Sequence, residues 1–292
     1  MRYVFFGVVL AILLAGASPR LLVDGQQGGK EMSTEFSERE EFRESYRLSP
    51  GASVELVNVP FGSVAIEPTD DEAVLVHMVR SARTRDELVC NRFVVEQTSD
   101  GLHLRSNENG DCHLQNVSVQ QNVLLRVPRS LNVLVSTVSG AVRLGELEGR
   151  GPNFVQGPNG DKIEQPADRP NVVGRGFNSN VSVRNISGPV SILQGGGQTS
   201  VSGVSGPVRI TFRGRGADGV KVDGVTGSLE LRLTRDLNAE LLMRDIKGEV
   251  RNLGAGLKLD NTEKGGFRSQ VGAGGAPISI SSINGDVVLR RD

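Results

Sequence analysis

Cys90 and Cys112 are the chain's two cysteines, and their types and spacing allow two chemistries. A disulfide would close a loop of about 20 residues, worth about 3 kcal/mol through lost chain entropy. Two buried thiols are the alternative. Zinc would need His103 or His113 beside the same sulfurs, but that spacing matches no common ligand pattern. An even cysteine count favours the bridge wherever the compartment is oxidising.

Other chemistry-bearing groups are sparse. Asp70, Asp71 and Glu72 form an acidic turn between expected strands, a weak candidate for a lone cation. Residues 214–219, GRGADG, match G-x-G-x-x-G through Gly214, Gly216 and Gly219. A dinucleotide site needs a helix after that loop, and VKVDGV follows, which reads as a strand. A calcium-binding nonapeptide array needs tandem copies, whereas Asp218 and Asp223 each occur once. Glycoside cleavage needs converging carboxylates, and outward acids in the repeats are not aligned from unit to unit. No G-x-S-x-G elbow occurs. These observations predict no cofactor, no metal and no catalysis. Asn116, Asn180 and Asn185 head N-x-S triplets, and Asn185 also occupies a turn position of the repeat.

The elements that must position these groups begin with an export signal. Residues 1–17 carry Arg2, an apolar run from Val4 to Leu14, and Ala15-Gly16-Ala17. That is the layout of a signal peptide cleaved after Ala17, with an uncleaved anchor as the alternative. The run falls short of the ~20 residues of a comfortable span, and no later stretch is apolar enough to cross a bilayer. The expected location is the periplasm, cell surface or extracellular space.

The composition has the same bias. The 292 residues include 37 glycines, no Trp and two Tyr, with a formal net charge of −1. A chain without basic excess does not attract nucleic acid. Few aromatics leave little for stacking on bases or sugar rings. Residues 18–47 are polar and read as a disordered leader. Order is expected from 48. Residues 53–68 read as two short strands about a tight turn at Gly62, and 72–82 as a strand. Residues 92–106 read as a hairpin, and 117–128 as a strand ended by Pro128.

From residue 131 a repeat emerges: φ-x-φ-x-x-φ-x-G-x-φ-x-φ, with φ apolar. It appears at 133–144, 181–192, 199–210 and 220–231, weakly at 241–252, and last at 278–289. Residues 54–66 are a variant with one extra residue before the glycine. The corner glycines are Gly62, Gly140, Gly188, Gly206, Gly227, Gly248 and Gly285. In the central run their spacings are 18, 21 and 21. Period-2 alternation predicts Val181, Val183, Ile186, Val190 and Ile192 inward, with Ser182, Arg184 and Ser191 outward. Each glycine is expected at positive φ, turning a corner. Residues 148–178 and 264–277 break the period and read as loops, the first a long insertion.

GASVELVNVPFGSVAIEP followed by these repeats resembles the "putative adhesin" domain of bacterial exported proteins, over residues 46–292. The resemblance implies an all-β, right-handed parallel β-solenoid at the envelope and carries over no catalytic residues. The expectation is a non-enzymatic envelope or surface protein with a solenoid scaffold or binding face for an unidentified envelope or extracellular partner, or for a second copy. The alternatives are a carbohydrate-active β-helix enzyme and a self-assembling periplasmic scaffold.

Overall fold

The computed structural model describes residues 36–108, 112, 114, 117–145, 176–212, 218–254, 256–262 and 265–291. The expected signal segment, residues 18–35 of the leader, His113, Asn116, Gly214, Gly216 and most of 148–178 lie outside them.

The chain opens with β1 (Glu38–Arg47), β2 (Ser53–Thr69) and β3 (Ala73–Ala82), then the short helix α1 (Arg85–Cys90). It continues through β4 (Asn91–Gln97), β5 (Gly101–Glu108), β6 (Val119–Pro128) and β7 (Asn132–Leu144). The repeats follow as pairs: β8 (Val181–Ile186) with β9 (Val190–Gln194), β10 (Gln198–Val204) with β11 (Val208–Phe212), and β12 (Gly219–Val225) with β13 (Leu229–Leu233). Next come β14 (Ala239–Ile246), β15 (Val250–Leu253), β16 (Asp260–Asn261), β17 (Gly266–Val271), β18 (Ala276–Ile283) and β19 (Val287–Arg291). All these strands join one mostly parallel, unclosed sheet.

Each repeat is one layer with two arms, and from β7 onward the layers pair in parallel without slipping. Val133 opposes Val181, Val181 opposes Thr199, Thr199 opposes Val220, and Val220 opposes Ile278. Register is held because a one-residue slip would turn every inward Val or Ile outward. Val181, Val183, Ile186, Val190 and Ile192 are all buried, as the alternation predicts. Burial of each such side chain is worth about 1.5–3 kcal/mol.

The layers do not stack in chain order. The last repeat, β18 and β19, lies between β12/β13 and β14/β15. At the other end β2 lies between β5/β6 and β7. The outer layer at each end therefore comes from the interior of the sequence. Antiparallel strands flank these outer layers: β4 on β5, β3 then β1 on β6, and β17 on β14.

Several expectations are corrected. Residues 53–68 are not a hairpin. They form the single strand β2, paired in parallel on both sides. The extra residue shows as a bulge, with Pro60 and Phe61 opposing Ser139 alone between the Val59–Val138 and Gly62–Gly140 pairs. Residues 38–47 of the expected leader form β1, and residues 266–271 of the expected loop form β17. In β1 the apolar Phe42 and Tyr46 are four residues apart, too sparse for a helix stripe yet on one face of a strand. Both pack on the core. Arg80 and His77 of β3 hold β1 in place through Glu40 at 2.6 Å and Glu41 at 2.9 Å.

Of the corner glycines, Gly62 and Gly227 are at positive φ as expected, at 142° and 159°, and the other five are corrected. Gly140, Gly188, Gly206, Gly248 and Gly285 are not at positive φ. The left-handed residue sits earlier in the unit, at Asn58, Thr137, Asn185, Gly203, Gly224, Asp245 and Ser282. What demands glycine at the corner is the next layer. A Cβ at Gly188 would meet the Gly140 carbonyl oxygen at 2.3 Å, and one at Gly206 the Gly188 oxygen at 2.5 Å.

Candidate functional site

Cys90 and Cys112 are bonded to each other, with Cα atoms 5.3 Å apart, a separation suited to a disulfide. Cys90 ends α1, whose first turn is capped by Thr84 accepting from the Glu87 N–H at 3.3 Å. Burial pushes the Glu87 carboxyl up, but hydrogen bonds from Arg83 and Thr84 outweigh it and hold the group below its ordinary range. Arg80 ties the helix to β3 by donating to the Leu88 carbonyl at 2.8 Å. The bridge spends both sulfurs. His77 bonds Glu41 and His103 bonds Glu55, each at 2.9 Å. The zinc set is therefore not assembled among the described residues.

The other sequence candidates also have structural partners. Arg129 pairs with Asp70 at 3.1 Å, and the Thr69 hydroxyl donates to Asp71 at 2.8 Å, so this acidic turn is tied to its neighbours. Gly219 begins β12, so a strand follows the glycine-rich segment. The Asn180 amide oxygen accepts from the Gln198 N–H at 3.0 Å, while the Asn180 N–H donates to Asn132 Oδ1 at 3.3 Å. These side chains stitch adjacent layers at the start of the first arm. Asn185 sits at φ 55, its turn position.

Chemistry that faces solvent lies on the outsides of the two arms. On the first arm, Ser202, Asp223, Ser281 and Arg244 follow one another across neighbouring strands. Ser281 Oγ donates to Asp223 Oδ1 at 2.7 Å. That bond chiefly, with further help from Ser282, Lys221 and Arg244 against the cost of burial, holds the Asp223 carboxyl below its ordinary range.

The second arm carries a denser group. Glu230 on β13 has Arg209 opposite it on β11 and Arg232 two residues along its own strand. Arg290 on β19 lies opposite Arg232. Their Nε atoms lie 2.8, 2.9 and 3.3 Å from the Glu230 carboxylate. Partial burial raises the Glu230 pKa, but Arg232 and Arg209 prevail and the carboxyl titrates below its usual range. Beyond Val288, Arg251 on β15 pairs with Glu249 at 2.8 Å and Asp286 at 3.2 Å. Local sequence patterning does not reveal this group. The signal was there in Arg209, Glu230, Arg232 and Arg290, but their neighbourhood depends on the layer order.

One polar depression of about 490 Å³ lies at the β14–β17 end. Glu240, Asp260, Arg268 and Gln270 line it. Arg268 pairs with Glu240, and Lys258 with Asp260 at 3.3 Å. No described helix is long and apolar enough to cross a membrane.

An all-β protein with parallel layers and charged outer faces is the class this geometry defines. The chain is similar to solved structures carrying adhesion names. One is a putative cell adhesion protein from Clostridium sporogenes, at 12% identity, covering 87% of this chain and 100% of that one, with a TM-score of 0.37. A putative adhesin from Bacteroides fragilis is 12% identical over 87% of this chain and 97% of its own, TM-score 0.40. Another, from Parabacteroides distasonis, is 10% identical over 87% and 97%, TM-score 0.26. No protein-family model and no curated protein matches the chain.

Proposed function

We propose that this is a non-enzymatic exported protein of the envelope or cell surface, whose layers form a right-handed β-solenoid serving as a rigid binding scaffold. The observation that carries the reading is the unbroken register of the layers from β7 onward. It holds outward side chains of both arms in rows one strand apart, about 4.8 Å. A surface built this way is preorganised for an extended partner, since little side-chain or loop ordering remains to be done on binding.

Export is supported by the amino-terminal signal pattern and by the disulfide. The adhesion names of the similar structures fit the same role.

Two measurements test it. The full chain, fused to a reporter enzyme that works only outside the cytoplasm, should give activity that disappears when residues 1–17 are removed. Beads coated with the chain from residue 18 onward should be retained on isolated cell envelopes, without release of soluble sugar fragments. Fragment release would replace the scaffold with a hydrolase, and beads that wash off freely would remove the binding role.

A further inference from the structure

The second arm's outer face points to a particular kind of partner. Arg209, Arg232 and Arg290 are 49%, 36% and 50% exposed, and all three converge on one carboxylate, Glu230. Over the four strands the face carries four arginines, with Arg251, against Glu230, Glu249 and Asp286, so one positive charge is left over, and it is concentrated where Arg209, Arg232 and Arg290 share Glu230, within a chain of net charge −1. Each arginine directs its Nε at Glu230, and among the described residues no second carboxylate pairs with any of the three. The Nη pair of a guanidinium is a planar fork that matches a carboxylate. Arg251 extends the row to a fourth strand.

We propose that this face binds an acidic polysaccharide of the uronate kind, laid across β11, β13, β19 and β15. Carboxylates of the sugar chain would accept from the arginine forks. Its hydroxyls would donate to Glu230, Glu249 and Asp286, which stand among the arginines. That mixture is why a hydroxyl-rich polyanion, which can donate to these carboxylates as well as accept from the arginines, fits better than duplex nucleic acid, whose closely spaced, acceptor-only phosphates would meet three carboxylates. The chain has no Trp and two Tyr, and the face is read by charge, so neutral glycans that depend on ring stacking are poor ligands. The proposal rests on the binding-scaffold reading and names its face and ligand.

Titration calorimetry of the chain from residue 18 onward, with oligogalacturonate, neutral dextran and duplex DNA as separate probes, tests it. Oligogalacturonate should bind with an affinity that falls as salt rises, and dextran should not. Changing Arg232→Gln together with Arg290→Gln should weaken binding about tenfold or more. Arg209→Gln alone should weaken it less, and Lys221→Gln on the first arm should leave it unchanged. A cooperative melt like that of the parent shows that each variant is folded. Should the double variant not fold, Arg209→Gln decides the matter. No oligogalacturonate binding, equal binding by the folded arginine variants, or stronger binding of DNA overturns the proposal. If the chain still holds to isolated envelopes when the arginine variants do so equally well, this face is wrong and the scaffold reading stands. If the parent chain binds neither envelopes nor oligogalacturonate, both fail.

Discussion

Gly285 stacks on Gly227: a Cβ at 285 would lie 2.3 Å from the Gly227 carbonyl oxygen. Gly248, which precedes Gly285 in the chain, stacks on the far side of it, where its own Cβ would meet the Gly285 oxygen at 2.3 Å. The column of corner glycines thus runs 62, 140, 188, 206, 227, 285, 248. The last repeat is wedged between two earlier ones.

That column makes the corner intolerant of any side chain. Gly206→Ala should lower stability by about 3 kcal/mol or more, because its neighbour is backbone and cannot rotate away. Gly256, which has nothing within 4 Å of a built Cβ but lies at φ 59, should cost only the ordinary strain of its backbone, about 1–2 kcal/mol. Chemical denaturation of the two variants compares them directly.

The wedged layer separates truncation from trimming. Ending the chain after Gly275 removes β18 and β19, which lie inside the stack. The cut should abolish the cooperative transition seen in urea, since it strips one face from both β12 and β14. A protein that unfolds cooperatively with a slightly smaller m-value would mean that the layers stack in chain order.

Thr137 is a β-branched residue at φ 55, in the position filled elsewhere by Asn185, Gly203 or Gly224. Asn tolerates that conformation far better. Thr137→Asn should raise stability by about 1 kcal/mol, read as an upward shift in the thermal midpoint.

The disulfide joins the end of α1 to the segment before β6, with a sequence separation of 22. Changing both cysteines to Ser should cost about 3 kcal/mol. The loss should match that of reducing the parent protein under the same conditions, which distinguishes lost cross-linking from a packing effect of the serines.

Acid should destabilise the fold through Glu87, Asp223 and Glu230, whose pKa values are lowered from ordinary values of 4.5, 3.8 and 4.5. A depressed folded-state pKa means that the unfolded chain takes up these protons first. The stabilisation is complete above the ordinary carboxylate values and is lost as pH falls through and below them. Melting midpoints should be flat above pH ~5.5 in this respect and decline below pH ~4.5. Glu230→Gln should make that decline shallower.

Much of the fold was legible because its code is local. Alternating Val, Ile and Leu placed the strands at 181–192 and 220–231 with their buried faces, since strand periodicity depends only on neighbouring residues. The cysteine pair was legible by count and compartment. β1 escaped because only Phe42 and Tyr46 mark its inner side, and it is a strand only because β3 offers an edge with Arg80 and His77 to hold Glu40 and Glu41. The arginine group at Glu230 was illegible because nothing in the local pattern says that residue 290 will lie beside 232.

The sequence by itself determined the unit: two short arms, an apolar inner row, and a glycine where the next layer passes too close for a side chain. Tertiary structure alone decided the order in which the units stack. Any two units with matching rows and a corner glycine can pair equally well locally. Which of them meet depends on contacts between residues far apart in the chain, and in the order adopted β1, β3 and β4 flank one outer layer while β17 pairs with the other, so neither outer layer is left bare on its first arm.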